Sequence, residues 1–457
     1  MAGLRRIEFV QSQKGSPQVI LDGFLFAKNR TRGESVHWRC VTKTCTGKCT
    51  TVGEFVRNTS EHNHLPSDSN VARFISILRK RAREETTPMQ QIYNDEVAKQ
   101  ALETVPHLPS FPSMSSALYR QRRVLIPALP QTRADVILEE PWTQTNDGRR
   151  YLLFSDGNED NMLVFSTDEQ IVALQAAESI FMDGTFSSCP ALWNQLYIIH
   201  AMDGTTMYPL VFALLPDKQR ITYIRLFSLL KNEVQQLLNQ PLAPSKVQTD
   251  FEMAAIQAVE TEFPQAEVKG CFFHFTQAIW RKTQELGLAV LYKEDPAVQT
   301  WIRRAAGLPL LSIAQVQDAW LEAMNDGPDV PQAEAFNDYV VLTWVDDDSR
   351  FPLIVWNHHL TTSPRTNNNL EGFHSRMNRS IQVHHPNIYR FVELIKGIET
   401  SERAKLRQIN FGAAPPPRKR VYKQNENRIV RLKAQLTLEQ KTPIQFLDAV
   451  GHLLKLV

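Results

Sequence analysis

The chain has 457 residues, 42% of them apolar and 22% charged, and a net charge of +2. That composition fits a globular protein of roughly two to four domains. It contains no run of about 18 apolar residues, so no membrane-spanning helix and no membrane partner are expected, and its start (Met1-Ala2-Gly3-Leu4-Arg5-Arg6) leads into no apolar signal segment.

Charge is unevenly spread. Residues 1–66 hold ten Lys/Arg against five Asp/Glu, and residues 405–435 hold nine against one. Basic segments flanking a neutral middle suggest a polyanionic partner. The five cysteines are Cys40, Cys45, Cys49, Cys189 and Cys271. An odd, sparse set reads as reduced thiols, and the tight cluster of three reads as metal ligands.

Residues 1–66 are expected to contain a small β domain. Ile20, Phe24, Phe26, Val36 and Trp38 are strand formers separated by turn residues. Trp38-Arg39-Cys40-x4-Cys45 is followed by His62-x-His64, with sixteen residues between Cys45 and His62. Two thiolates and two imidazoles can close a tetrahedral Zn²⁺ site, and a domain this small needs the stability that one structural ion supplies. Cys49 is the alternative second thiolate. The pattern resembles the FLYWCH zinc finger, a β scaffold bearing Trp-x-Cys, a second Cys and His-x-His. In that family small and basic residues follow the second Cys, as Thr46-Gly47-Lys48 follow Cys45. The resemblance therefore favours Cys40, Cys45, His62 and His64 as ligands, with Arg39 beside them as a DNA contact.

Residues 67–135 read as a basic helical connection. Asp68-Ser69 can cap a helix whose apolar face is Val71, Phe74, Ile75 and Leu78. Its other face carries Arg73, Arg79, Lys80, Arg81 and Arg83. Arg79 and Lys80 are candidates for contact with the DNA backbone; a merely solvated face is the alternative. Thr87-Pro88 starts a second helix. Prolines 106, 109, 112, 127 and 130 then predict an irregular link.

Residues 136–275 carry the clearest fold signal, within a domain expected over 136–400. Leu152–Phe154 and Met162–Phe165 predict a hairpin, and Asp168 starts a helix. Strands are expected over Ile180–Phe186, Leu192–Ala201 and Met207–Leu215, with Asp203-Gly204 as a turn. A helix over Thr222–Leu238, a strand over Lys246–Asp250, a helix over Phe251–Phe263 and a strand over Val268–Phe273 follow. Three antiparallel strands, then helix, strand, helix, strand, is the order of a ribonuclease-H-like α/β fold. In that fold the fourth strand lies beside the first, so Asp183 and Asp250 would be neighbours. Residues 276–362 read as a helical insertion. Asn367-Asn368-Asn369-Leu370-Glu371 then leads into Ser375, Arg376, Asn378 and Arg379, which suit a helix near phosphates; Arg376 is a further candidate DNA contact.

Asp183 lies among strand-forming apolar residues, where a carboxylate needs a partner or a metal. Phosphodiester cleavage by two Mg²⁺ or Mn²⁺ ions about 3.5–4 Å apart needs carboxylates from separated stretches. Asp183, Asp250 and Glu371 fit that role. Asp250 could instead cap the helix that follows it, and Glu371 could be a solvated helix residue. The pairs His358-His359 and His384-His385 are expected at the surface.

Phe181-Met182-Asp183-Gly184-Thr185-Phe186, Gln195–His200, Thr249-Asp250-Phe251-Glu252, Gly270–Phe275 and Asn367–His374 resemble, in order, the blocks of the Mutator-like element (MULE) transposase domain. The resemblance spans about residues 140–400. It implies a DDE-type transposase with Asp183, Asp250 and Glu371 as catalytic metal ligands, and Cys271 and His274 as an accessory Cys-x-x-His element. It also implies cleavage at an element end that frees a 3′-hydroxyl, attack by that hydroxyl on target DNA, and a homo-oligomer that joins paired ends. The implied partner is double-stranded DNA: terminal repeats and target. A catalytically silent, domesticated DNA-binding regulator is the competing expectation, and a nuclease that never joins strands is a third. Residues 401–457 read as a basic tail with a terminal helix, and Pro415–Arg420 as a nuclear import signal.

Overall fold

The computed structural model describes residues 5–12, 16–66, 69–85, 87–123, 127–203, 206–361, 368–381, 384–412 and 420–456; the side chains at 368, 369, 371, 409 and 410 lie outside that description. The chain divides into two compact units, Met1–Leu129 and Pro130–Val457.

The first unit opens with six strands: β1 (Glu8–Gln11), β2 (Pro17–Leu21), β3 (Phe24–Arg32), β4 (Ser35–Cys40), β5 (Lys48–Val52) and β6 (Phe55–Thr59). Each pairs antiparallel with the next in sequence. Arg6 bridges to Phe55, and Ile7 N donates to Glu54 O at 2.9 Å, so the segment entering β1 meets the last strand and the meander curls back on itself. Asp22-Gly23 joins β2 to β3 with φ of 51° and 80°. Two left-handed residues match the twist of the flanking strands, which is why Asp-Gly serves there. Val19, Leu21, Phe26 and Trp38 fill the interior.

Three helices follow: α1 (Ser69–Glu84), α2 (Met89–Val97) and α3 (Phe111–Arg122). Phe74, Leu78, Ile92 and Leu118 form their shared core. The helix α3 occupies a stretch whose prolines predict irregular chain. Pro112 falls in its first turn, where a missing N–H costs nothing. The expected Asp68 cap lies outside the described residues.

The second unit is built on a seven-stranded sheet. Its strands are β7 (Leu152–Asp156), β8 (Met162–Phe165), β9 (Ser179–Thr185), β10 (Gln195–Asp203), β11 (Thr206–Leu215), β12 (Lys246–Thr249) and β13 (Glu267–Gly270), in spatial order β13-β12-β9-β10-β11-β8-β7. Pairing is antiparallel from β9 through β7, whereas β12 runs parallel to both β9 and β13. Helix α4 (Asp168–Ala176) starts one residue after its cap: Thr167 and Gln170 form a capping box. Helices α5 (Arg220–Leu238) and α6 (Met253–Glu262) share a core with the sheet through Tyr223, Leu226, Phe227 and Val259 against Ile180, Met182, Tyr197 and Ile199.

A helical layer follows: α7 (Phe272–Glu285), α8 (Leu291–Glu294), α9 (Pro296–Gly307), α10 (Ile313–Asn325), α11 (Ala333–Val340) and α12 (Leu353–Trp356). Trp301, Trp320, Trp344 and Trp356 are fully buried in it. The strand expected to reach Phe273 stops at Gly270. Phe272, Phe275 and Ile279 recur at helical spacing and bury on one face of α7, so the aromatic pair starts a helix. The chain ends with α13 (Asn368–Ile381), α14 (Ile388–Asn410), α15 (Arg420–Thr437) and α16 (Pro443–Gly451). Much of the expected basic tail is thus ordered helix. Phe446, Leu447 and Val450 join the tryptophan core, and Asp448 pairs with Arg304 at 2.6 Å. Residues 415–419 of the expected nuclear import signal lie outside the described residues.

Candidate functional sites

In the first unit Cys40 ends β4, Cys45 sits in the loop before β5, and His62 and His64 follow β6. One donor atom from each lies within 4.8 Å of the other three. His64 Nε2 is 3.2 Å from Cys40 Sγ, and His62 Nδ1 is 3.3 Å from Cys45 Sγ. Tetrahedral bonds of about 2.0–2.3 Å place ligand atoms roughly 3.5 Å apart, so this donor set fits Zn²⁺. Leu65 O lies 2.7 Å from His64 Nδ1, which fixes the tautomer that leaves Nε2 open to a metal. The ring of His62 stacks on Phe24 at 3.7 Å between centroids. Gly47 N donates to Cys45 Sγ at 3.2 Å. A Cβ at Gly47 would stand 2.6 Å from the His62 ring, so the loop has room only for glycine.

Cys49 takes no part. It faces the interior opposite Trp38, and burial pushes its thiol up to about 11. Cys45 is thus the second thiolate of the cluster.

The DNA-contact candidates divide. Arg39 is exposed on β4, and Lys80 is exposed on α1. Arg79 is only 4% exposed and its guanidinium donates to Ser12 O. That corrects its assignment as a DNA contact, because an outside phosphate cannot reach it. Arg376 pairs with Glu402 at 2.6 Å and keeps about half its side-chain surface exposed.

In the second unit Asp183 lies on β9 and is 4% exposed. The parallel register sets Gln248 opposite Phe181. Two residues further on, Asp250, just past the end of β12, stands level with Asp183 on β9. Asp250 has its carboxyl pushed up to about 6, first by burial and then by the nearby charge of Glu252, with Lys218 opposing. Glu252 itself turns to Tyr223 OH at 2.7 Å and Lys218 Nζ at 3.2 Å. A carboxyl held uncomfortably close to neutrality by burial is the kind that a cation relieves.

An open cavity of about 580 Å³ lies over Asp183, walled by His274, His374, Asn378, Arg379 and His384 among others. His374 Nδ1 is 3.6 Å from Asp183 Oδ2. Burial pushes both His274 and His374 down to about 4, so both imidazoles are neutral near pH 7. His274 Nδ1 and His374 Nε2 are buried with no hydrogen-bond partner among the described residues. Cys271, by contrast, is fully buried at the start of α7 and its backbone N donates to Thr249 O at 2.8 Å; the cavity wall described here does not include it. Glu371 lies on α13 one turn before His374, on the same helix face by spacing. Its side chain is outside the described residues.

The role of His374 escapes the sequence reading, although it sits in the block around Glu371. The i,i+3 spacing from Glu371 is the signal that could have found it. His358, expected at the surface, is fully buried, with Nε2 2.8 Å from Gly270 O. It ties the helical layer to the end of β13.

Two family models match stretches of the chain. Residues 9–64 match the FLYWCH zinc finger domain, and residues 179–278 match the MULE transposase domain. No curated protein matches the chain. Among solved structures, the "Drosophila P element transposase strand transfer complex" is 13% identical, spanning 82% of this chain and 90% of that one, with a TM-score of 0.22. A score that low carries no weight for the fold.

Proposed function

We propose that this chain is a DNA transposase, or a protein derived from one, with a ribonuclease-H-like DDE core. It cuts phosphodiester bonds at element ends and transfers the freed strand to target DNA. The observation that carries this reading is that Asp250, one residue past the end of β12, stands level with Asp183 on the parallel neighbour β9, inside the MULE-matched stretch. The strand order, with β12 beside β9 and three antiparallel strands beyond it, supports the same reading.

Asp183, Asp250 and Glu371 would hold two Mg²⁺ or Mn²⁺ ions. Such ions neutralise phosphate charge, ease deprotonation of water and stabilise the leaving oxygen. The neutral imidazoles of His274 and His374 each offer one hydrogen bond to a phosphate oxygen entering the cavity. In the first displacement water bonds to phosphorus and the 3′-oxygen leaves as a hydroxyl. In the second that hydroxyl bonds to a target phosphorus and a target 3′-oxygen leaves. The partner is duplex DNA in the nucleus, met by a homo-oligomer that brings two ends together.

The test is strand cleavage of duplex DNA by the full chain with Mg²⁺ or Mn²⁺. Asp183→Asn and Asp250→Asn should each lose at least a hundredfold in rate while DNA binding persists. Equal cutting by wild type and both variants, or no cutting by DNA-bound wild type, overturns the proposal.

A further inference from the structure

The register of the first unit sorts its cations. In an antiparallel sheet, directly opposed residues share a face and successive residues alternate. Trp38 and Cys40 on β4, with Cys49 and Thr51 on β5, point inward and are buried. Arg39 and His37 therefore point outward. Arg39 is opposed by Lys48 on β5, and His37 by Thr50. On β3 a bulge at Asn29 shifts the register, so that Arg30 faces His37 and Arg32 faces Ser35. The bulge thus moves Arg30 and Arg32 onto the outward face that carries Arg39.

Arg30, Arg32, Arg39 and Lys48 share this face, and no acid from the three strands opposes them. All four are exposed. None forms an ion pair among the described residues, whereas Glu54, at the nearby β5–β6 turn, is occupied by Arg6. The helix α1 differs. Its Arg73 pairs with Glu8 at 2.7 Å, Arg81 with Glu85 at 2.6 Å and Glu96 at 2.7 Å, and Arg83 donates to Gln121 at 2.6 Å. Apart from Lys80, its cations are engaged within the unit, and those of the ribbon are not.

We propose that the outward face of the β3–β4–β5 ribbon, through Arg30, Arg32, Arg39 and Lys48, lies in the major groove of duplex DNA. The stretch from Ser35 to Arg39 spans roughly 13 Å at about 3.3 Å per residue. Three adjacent strands at roughly 4.8 Å spacing place their backbones about 10 Å from first to last, within the roughly 12 Å width of the B-form major groove. Arginine is the side chain that reads guanine edges there in bidentate fashion, and His37 and Thr50, bonded to each other at 3.1 Å, offer polar atoms between the cations. This inference rests on the DNA-binding half of the proposed function and not on strand cleavage.

The probe is a fluorescein-labelled mixed-sequence DNA duplex of about 30 base pairs, titrated with the full chain at several KCl concentrations. The variant Arg30→Ala/Arg32→Ala/Arg39→Ala should bind at least tenfold more weakly at low salt, with a salt slope smaller by about 2–3. Its zinc content should stay at one per chain, which shows that the unit still folds. Lys99→Ala, in the same unit, should match wild type. Methyl green, a major-groove ligand, should compete with binding, and netropsin, a minor-groove ligand, should not. Wild-type affinity and slope in the triple variant overturn the surface, as does an equal loss in Lys80→Ala, which would move the contact to α1. Equal binding of an RNA duplex, lost in the same variant, also overturns it, because the A-form major groove is too narrow to enter. If wild type binds no DNA at all, the DNA-binding reading itself falls.

Discussion

At the scale of single residues, the zinc cluster gives the sharpest expectation. Cys45→Ser should lose the ion from a chain that otherwise holds about one. Cys49→Ser should keep it, at a stability cost of about 1 kcal/mol for a hydroxyl in the core beside Trp38. Metal analysis of the two purified variants decides between them, and retention by Cys45→Ser would sink the assignment. This site was readable in advance because its ligands are rare residue types at restrictive spacing. The resemblance already favoured Cys45 over Cys49, and the loop gives the physical reason: Gly47 lets His62 close on Cys45. The burial of Asp183 was readable too, since a carboxylate in an apolar strand stands out. His374 was not: a histidine on a helix carries no mark of what it faces, and only the fold brings it within 3.6 Å of Asp183. Arg79 misled for the converse reason. Basic residues on an amphipathic helix look solvent-facing until tertiary contacts enclose one of them.

At the scale of elements, the strands of the second unit follow from runs of β-branched and aromatic residues with short gaps, and those runs are what the sheet uses. The boundary after β13 was misread because Cys271-Phe272-Phe273 is apolar enough for either a strand or a helix. Periodicity over the longer stretch decides, and it belongs to α7. The role of α16 could not be read locally. Its docking on α9 joins residues far apart in sequence, and nothing in Pro443–Gly451 names that partner. Phe446→Ala should therefore weaken the tryptophan core by about 3–5 kcal/mol. Urea unfolding followed by tryptophan fluorescence should show the transition of this layer at lower denaturant. An unchanged midpoint would mean that α16 contributes nothing to the layer's stability.

At the scale of the whole molecule, the division at Leu129/Pro130 separates a unit that carries a Cys/His group fit for zinc from one without such a group among the described residues. A zinc-selective chelator, added with Mg²⁺ present, should abolish the thermal transition of residues 1–129 and leave that of residues 130–457 in place. Calorimetry of the two halves expressed separately checks this; loss of both transitions would contradict the division. The order of pairing in the sheet has a consequence for how the protein is born. Because β12 inserts beside β9 only after β10, β11 and α5 have been made, the ribosome delivers Asp183 several seconds before Asp250, at about 5–20 residues per second. Glu371 emerges later still. Under the proposed function, a nascent chain that has started to fold would lack its full set of acidic metal ligands until the stretch around Glu371 has been made.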